Sequence, residues 1–403
     1  MTGNNLKRPR VAVVFGSRSV EHEISVITAL QLMTAIDPIK YDVTPVYIAP
    51  NGCWYTGNEL FDRSFYRSVP ASLSKLQEVT LLPKPGVGGL MKVGGPMDLA
   101  KQALSIDSMI IPIDIYLPVF HGQFGEDGCI QGLFELAKVP YTGSNVPSSA
   151  ITMNKYLCKM YLKAHGIPVL PALTISREDA HQNLSKTVEW IISQEGFANL
   201  PLFVKPCNLG SSIGVSRVKA LDELAPALAT VFRYDTMAII EPCVSQIMEI
   251  NVSIRDYNGT QASVVEIPVS DSGVLSYEEK YLRGGGKKTG QSQGMASLTR
   301  VIDPQDLDET IKSDVIEYGK KSFKLLGCSG VARLDFIVDL ATEKLYFNEL
   351  NAFPGSCAFY LWARSKPRVL YTQLIENMIE TGFKTFSEQS SLDRSIGLKA
   401  LKQ

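Results

Sequence analysis

The strongest functional signal in the sequence lies in two neighbouring stretches, Arg333-Leu-Asp335-Phe-Ile-Val-Asp339 and Leu345-Tyr-Phe-Asn348-Glu349-Leu-Asn351-Ala-Phe-Pro354-Gly355. Each contains an apolar run rich in β-branched or aromatic residues, which predicts a strand. Asp335 lies within the first strand, whereas Glu349 and Asn351 end the second. Carboxylate and amide oxygens on adjacent strands can hold Mg²⁺ and leave positions free for nucleotide phosphates. The pattern predicts magnesium chemistry on phosphates, with simple turn formation at a strand end as the alternative.

Composition and charge indicate a cytoplasmic protein that acts on small molecules. The 403 residues are 45% hydrophobic, which suits two or three domains with substantial cores. Lys plus Arg number 40 and Asp plus Glu 41, so net charge favours neither nucleic acid nor an anionic membrane. The seven cysteines have no Cys-x-x-Cys spacing, which indicates reduced thiols. No apolar run approaches about 18 residues, so neither a membrane span nor a signal segment is expected.

Alternating strand and helix patterns predict an α/β fold in three parts. Residues 1–148 are expected to form an N-terminal domain around a parallel sheet, with strands near 10–15, 41–48 and 113–119. A central subdomain is expected over 149–242. A C-terminal subdomain that carries the metal and substrate site is expected over 243–403.

Three glycine-rich segments offer binding places for anions. The loop Gly210-Ser211-Ser212-Ile-Gly214 follows Lys205, and its amides and hydroxyls can fold over a polyphosphate; a hairpin turn is the alternative. Residues 283–294, rich in Gly and Lys, predict either a mobile cationic flap or a plain surface loop. The segment His121-Gly-Gln-Phe-Gly125-Glu-Asp-Gly128 ends where a helix begins, so its amides can hold an anion. None of the three is a Walker A loop or a dinucleotide fingerprint.

The order of the motifs resembles the D-alanine:D-alanine ligase family of ATP-grasp enzymes. In sequence order they are Gly-Ser-Arg-Ser-Val-Glu-His-Glu, His-Gly-x-x-Gly-Glu-Asp-Gly, Met-x-Lys, Lys-Pro-x-x-x-Gly-Ser-Ser-x-Gly, Glu-x-Lys-Tyr, Arg-x-Asp-Phe and Asn-Glu-x-Asn-x-x-Pro-Gly. The resemblance runs from about Val11 to Gly355. It implies an ATP-grasp fold in which two α+β subdomains sandwich ATP. It also implies a ligase that converts one small amino acid to an acylphosphate and joins it to a second, D-alanine to D-alanine for peptidoglycan precursors.

The resemblance also implies roles for individual residues. ATP is expected to contact Lys155, Lys205, Ser211, Ser212, Glu241, Glu249 and Lys280. One or two Mg²⁺ ions, for which Mn²⁺ can substitute, are expected on Asp335, Glu349 and Asn351. The catalytic residues are expected to be Glu21, Ser211, Lys280, Tyr281, Arg333 and Gly355. The two amino acids are expected to bind against Glu21, His121 and Tyr360.

One departure from the family pattern concerns the second substrate. Where the family has a Ser that holds the carboxylate of the second D-alanine, this chain has Tyr360, whose hydroxyl lies about a ring's length further from the backbone. The acceptor is therefore left open between D-alanine and another nucleophile. The alternative function is a related ligase or cyclase of a small-metabolite pathway. The resemblance further implies a homodimer joined through the N-terminal domain.

Overall fold

The computed structural model describes residues 8–93, 109–269 and 300–393, which form three sheets flanked by helices. The first sheet has the strand order β6-β5-β4-β3-β2-β1-β7. Its strands are β1 (Arg10–Gly16), β2 (Asp42–Ile48), β3 (Trp54–Thr56), β4 (Gln77–Thr80), β5 (Gly89–Lys92), β6 (Ile110–Pro112) and β7 (Ile115–Val119). Helices α1 (His22–Ala35) and α2 (Cys129–Ala137) accompany it.

Only part of this first sheet is parallel. Strands β2, β1 and β7 pair in parallel, and residues 11–15 of β1 are completely buried, as expected for a strand covered on both faces. Strands β3 to β6 extend the sheet with antiparallel pairs that were not predicted from the sequence. These strands are three or four residues long, too short for a clear hydrophobic period.

The second sheet is antiparallel, with the order β10-β9-β11-β8. Its strands are β8 (Leu173–Ser176), β9 (Leu202–Pro206), β10 (Ser216–Val218) and β11 (Met237–Pro242). The chain reaches it through α3 (Val146–Met153) and α4 (Lys155–Ala164), and α5 (Arg177–Gln182), α6 (Leu184–Ser193) and α7 (Leu224–Val231) complete this region. Asn154 separates α3 from α4. The Asn154 side chain caps α4 by accepting a hydrogen bond from the amide of Leu157 at 2.9 Å.

The third sheet has the order β14-β13-β12-β15-β16 and is also antiparallel. Its strands are β12 (Ile247–Asp256), β13 (Thr260–Pro268), β14 (Arg300–Ile302), β15 (Val331–Asp339) and β16 (Lys344–Asn351). Helices α8 (Glu309–Leu325), α9 (Phe359–Trp362) and α10 (Tyr371–Ser390) follow in the same part of the chain. Short 3-10 turns occupy Asn58–Phe61, Arg63–Ser68, Ala71–Lys75, Leu221–Glu223 and Gly355–Ala358.

Two packing contacts organise the C-terminal part of the chain. One face of the third sheet is apolar, and its fully buried residues form a core with α8 that includes Ile250, Val252 and Leu334. The last helix, α10, packs through Leu374 and Met378 against the first sheet, so the C-terminal end of the chain closes the N-terminal core. No helix in the three described ranges is long and apolar enough to span a membrane.

The end of β1 requires glycine. Gly16 has a φ of +100°, and a Cβ there would lie 2.2 Å from the carbonyl oxygen of Ile48. The Gly16→Ala substitution is expected to lower the free energy of unfolding by at least about 2 kcal/mol, because the left-handed backbone and the clash both oppose a side chain. Chemical denaturation would measure the loss.

A matched control for this prediction is Gly132→Ala in α2, where an added Cβ meets no atom within 4 Å. Alanine favours a helix over glycine by roughly 0.5–1 kcal/mol, so this variant is expected to be at least as stable as the wild type. Equal stability of the two variants would contradict the role assigned to Gly16.

Candidate active site

The polar face of the third sheet gathers the charged residues of the candidate site. Strand register places Glu266 opposite Asn251, Asn251 opposite Asp335, and Asp335 opposite Glu349, so four strands contribute one polar row. A second register pair sets Arg333 opposite Asn351. Alternate residues of a strand point to opposite faces, which explains how the same strands also build the apolar core. The sequence-predicted metal ligands therefore lie together.

Asp335 and Glu349 form a cross-strand pair of like charges, an arrangement that is unfavourable without a compensating cation. Arg333 supplies part of this compensation, because its Nε and Nη2 each donate to Asp335 at 2.7 Å. Lys155 Nζ lies 3.7 Å from the Glu349 carboxylate. The Asn351 amide donates to Asp335 at 3.2 Å. Two carboxylates and one amide suit Mg²⁺, which usually takes one or two protein carboxylates together with substrate phosphates.

A buried carboxylate anchors two lysines in the wall of the cleft. Glu241 on β11 is 2% exposed and accepts hydrogen bonds from Lys159 and, at 2.7 Å, from Lys205. Burial disfavours the charged carboxylate, but the two ammonium groups outweigh that effect and lower the pKa of Glu241 to about 2. Glu241 is therefore ionised and fixes the Lys205 ammonium at the end of β9. Lys159 was not predicted as a site residue, although its position one helical turn after Lys155 was an available signal.

Five of the seven predicted nucleotide residues line one cleft of about 980 Å³, a volume that includes space open to solvent. Its lining includes Lys155, Lys205, Ser212, Glu241, Glu249 and Asp335. A second cavity of about 500 Å³ adjoins it, and the two share Lys155 and Glu349 as walls. The second cavity also contains Glu21 and Glu126, so a phosphate bound near Lys155 would face a chamber of amino-acid size.

The glycine-rich loop reaches the second cavity through Ser211, whose hydroxyl donates to the Glu21 carboxylate. Ser211 and Ser212 have φ values of 53° and 58°, so the loop turns in the left-handed region at its tip. A Cβ on Gly210 would lie 3.0 Å from both Glu21 carboxylate oxygens. Glycine thus permits the close approach that the Glu21 contact requires. Lys155 fixes the base of this loop, because its ammonium donates to the carbonyl of Leu209.

The segment 121–128 contributes two ionisable groups, the buried His121 and the half-buried Glu126, which lines the second cavity. Glu126 accepts hydrogen bonds from the amides of Gly122, at 2.8 Å, and Phe353, at 3.2 Å, and so ties two loops together. Burial, reinforced by the nearby Glu21 carboxylate, raises the pKa of Glu126 to about 8. Burial, with a smaller effect of Arg333, lowers the pKa of His121 to about 4, so the imidazole is neutral. Glu126 was part of a quoted motif but was not assigned a role from the sequence.

The turn after β16 is left-handed over three consecutive residues that are not glycine. Ser356, Cys357 and Ala358 have φ values of 52°, 52° and 48°, and all three are buried. The turn places the amide of Gly355 at one end and Tyr360 at the other. The Tyr360 hydroxyl donates to Glu266 at 3.0 Å. Two predicted catalytic residues, Lys280 and Tyr281, and the flap 283–294 lie outside the described residues.

The first prediction from this geometry concerns the acidic pair. Asp335→Asn and Glu349→Gln are each expected to lower ATP-dependent turnover at least about a hundredfold with folding retained, because both side chains serve charge and not core packing. The control is Asp339→Asn, at the exposed end of the same strand, where the carboxylate only caps a turn. Near wild-type turnover of Asp335→Asn at saturating Mg²⁺ would remove the metal assignment.

A second prediction concerns the buried lysine. Lys159→Met is expected to lower the free energy of unfolding by about 3 kcal/mol and to weaken nucleotide binding, because it leaves the buried Glu241 with one cation fewer. Thermal denaturation and nucleotide titration would measure both effects. Lys163→Met, at an exposed position of the same helix, is the control and is expected to behave as wild type. Equal behaviour of the two variants would show that Lys159 is dispensable.

Comparison with known proteins places this geometry in a family. Residues 10–144 match the family model described as D-ala D-ala ligase N-terminus, and residues 161–380 match D-ala D-ala ligase C-terminus. The D-alanine–D-alanine ligase of Thermosipho melanesiensis is 34% identical over 388 residues, which cover 96% of this chain and 97% of that protein. The D-alanine–D-alanine ligase A of Bradyrhizobium diazoefficiens is 33% identical, with coverage of 96% and 98%.

Solved structures agree with these matches. The D-alanine–D-alanine ligase of Coxiella burnetii superposes with a TM-score of 0.75 at 28% identity and covers 98% of this chain and 99% of that chain. The VanG D-Ala:D-Ser ligase of Enterococcus faecalis gives a TM-score of 0.72 at 26% identity, with coverage of 93% and 100%. The two family models together span most of the sequence, and the protein therefore belongs to the D-alanine–D-alanine ligase family of ATP-grasp enzymes.

Proposed function

We propose that the protein is an ATP-dependent ligase that activates D-alanine as an acylphosphate and joins it to a second D-alanine, the dipeptide of peptidoglycan precursors. The observation that carries the proposal is the shared wall of the two cavities. Lys155 and Glu349 border both the cleft with the phosphate-binding side chains and the chamber with Glu21. A nucleotide γ-phosphate and an amino-acid carboxylate would meet at that wall.

Phosphoryl transfer depends mainly on positioning and on neutralising charge. In the proposed complex Lys155 and Lys205 hold the phosphates, and the ionised Glu241 keeps the Lys205 ammonium in place. Glu249 lies in the same cleft and would bind the nucleoside. Asp335, Glu349 and Asn351 would hold one or two Mg²⁺ ions, whose charge offsets that of the phosphates when bound.

The first amino acid is proposed to bind in the chamber of Glu21. The Glu21 carboxylate attracts the substrate ammonium, and Ser211 orients that carboxylate through its hydroxyl. The half-buried Glu126 lines the chamber, and neutral, buried His121 lies in the same segment without adding a cation. Arg333 and the amide of Gly355 are proposed to stabilise the oxyanion that forms when the second amine attacks the acyl carbon.

A different acceptor is the second candidate function. The sequence suggests this alternative because Tyr360 stands where the family has a Ser. In the structure, the Tyr360 hydroxyl already donates a hydrogen bond to Glu266. A phenol has one proton, so this hydroxyl is not available to donate to an acceptor carboxylate. Among the similar structures, the Enterococcus faecalis protein is named a D-Ala:D-Ser ligase, so related chains differ in the acceptor they are named for.

The proposal includes a cytoplasmic location and a homodimer. All seven cysteines are free, which supports a reducing compartment. The homodimer rests on the family resemblance alone. Light scattering of the purified protein would measure the mass in solution, and a mass of one chain, 44.3 kDa, would contradict the dimer.

The central experiment incubates the purified protein with ATP, Mg²⁺ and D-alanine and measures ADP and dipeptide. ADP formation that requires D-alanine, together with an equal amount of D-alanyl-D-alanine, is the expected result. Glu21→Gln is expected to raise the KM for the donor D-alanine about a hundredfold, because an ammonium loses its carboxylate partner. Glu23→Gln, at an exposed position in the first turn of α1, is the control. ADP release that is independent of any amino acid would overturn the proposal.

A further inference from the structure

One polar side chain of the third sheet has an unexplained hydrogen-bonding group. Asn251 is 6% exposed, and its Nδ2 donates to Glu266 at 3.2 Å. Its Oδ1 is buried and accepts no hydrogen bond from any described residue. A buried acceptor without a donor is costly, by roughly 1–3 kcal/mol, so such groups usually serve a ligand or a water molecule.

The register of the sheet determines where this oxygen faces. Asn251 lies between Glu266 on β13 and Asp335 on β15. A carboxylate only accepts hydrogen bonds, so Glu266 fixes the Asn251 nitrogen on its own side. The Oδ1 branch is therefore not the one that contacts Glu266 on β13, and the neighbour of Asn251 on its other side is Asp335 on β15. That strand borders the point where the acyl carbon would be attacked.

Tyr360 also donates a hydrogen bond to Glu266, as Asn251 does. Its hydroxyl and the Asn251 amide both donate to one oxygen of Glu266, at 3.0 and 3.2 Å. Glu266 is 1% exposed, and its other oxygen pairs with Arg300 at 2.7 Å. The Arg300 guanidinium also lies 4.1 Å from the centre of the Tyr360 ring. These contacts fix the phenol so that its hydroxyl donates a hydrogen bond to Glu266. The lone pairs of the phenol oxygen remain able to accept a hydrogen bond.

The charged residues around Asn251 and Tyr360 form ion pairs. Glu266 is neutralised by Arg300, and Asp335 by Arg333. Asn251 and Tyr360 therefore lie among paired charges, and each still offers a hydrogen-bond acceptor, the amide oxygen and the phenol oxygen. Such a site suits an N–H donor in its uncharged, nucleophilic form, because a neutral amine can donate two protons and keep its lone pair.

We propose that Asn251 and Tyr360, both anchored on Glu266, form the pocket that receives the attacking amine of the acceptor. The proposal rests on the ligase function given above and extends it by assigning the acceptor amine to named residues. It also specifies the acceptor class as an amine and not a hydroxy acid. A hydroxyl has one proton and would leave one of the two acceptors without a partner, whereas an amine satisfies both.

The experiment separates donor activation from the use of the acceptor. Hydroxylamine, a small nucleophile, captures the D-alanyl phosphate as a hydroxamate and so reports donor activation alone. Dipeptide formation with increasing D-alanine reports the acceptor KM, and depsipeptide formation with D-lactate reports discrimination against a hydroxyl. Asn251→Leu keeps the approximate shape of the side chain and removes its acceptor, and Tyr360→Phe removes only the hydroxyl.

Both variants are expected to raise the acceptor KM for D-alanine at least tenfold, with the yield of hydroxamate within threefold of wild type. Both variants are also expected to reduce the ratio of dipeptide formed with D-alanine to depsipeptide formed with D-lactate. The control is Asn377→Leu, the same chemical change at an amide on α10 that accepts a hydrogen bond from Arg255 at 2.8 Å, four residues along β12 from Asn251. It is expected to change neither reaction.

Three outcomes would decide the matter. No hydroxamate from the wild type would remove the ligase function itself. Hydroxamate from the wild type, with an unchanged acceptor KM and unchanged D-lactate discrimination in both folded variants, would show that Asn251 Oδ1 binds only water. If Asn251→Leu fails to fold, Tyr360→Phe alone decides, because it retains the ring that packs against Arg300.

Discussion

The alternation of side chains along β12, β15 and β16 is the constraint on which the candidate active site depends. Even-numbered residues of β12, such as Ile250 and Val252, enter the core, and Asn251 between them lies on the opposite, polar face beside Asp335. The apolar face holds the strands in register, and that register places Asp335 opposite Glu349. A shift of one residue would exchange the two faces, so the core and the polar row cannot be specified separately.

Charge pairing explains how so many ionisable groups remain in a partly buried cleft. Glu241 is held between two lysines, and Asp335 by the guanidinium of Arg333. Isolated charges would be costly at these depths, so each cation is paired with a carboxylate before any substrate arrives. Binding of polyphosphate and metal would exchange these partners and would not need to create new buried charge. The site is therefore pre-organised by the contacts that stabilise the ligand-free protein.

Features encoded within a short segment could be predicted from the sequence, and features that depend on distant strands could not. Asp335 and Glu349 were found because a local strand pattern surrounds each, and the strand of residues 10–16 was found for the same reason. Strands β3 to β6 were missed because short edge strands have no clear period. The network of Asn251, Glu266 and Tyr360 joins residues up to 109 positions apart, so only the register of the sheet reveals it. The domain boundaries and the roles of individual site residues stay predictions.

The left-handed turn after β16 connects the two segments that are proposed to bind the first and the second amino acid. Each residue in this conformation costs roughly 1–2 kcal/mol when it has a side chain, so three in succession require compensation. Small side chains limit the steric cost, and the hydroxyl of Ser356 donates to Gln31 of α1 at 2.6 Å. Helix α1 begins directly after Glu21, the residue proposed to hold the first amino acid. The same strained turn leads to Tyr360, which is proposed to receive the second. A hydrogen bond between α1 and the turn thus links the two segments that are proposed to bind the first and the second amino acid, and it stabilises the turn in its unfavourable backbone conformation.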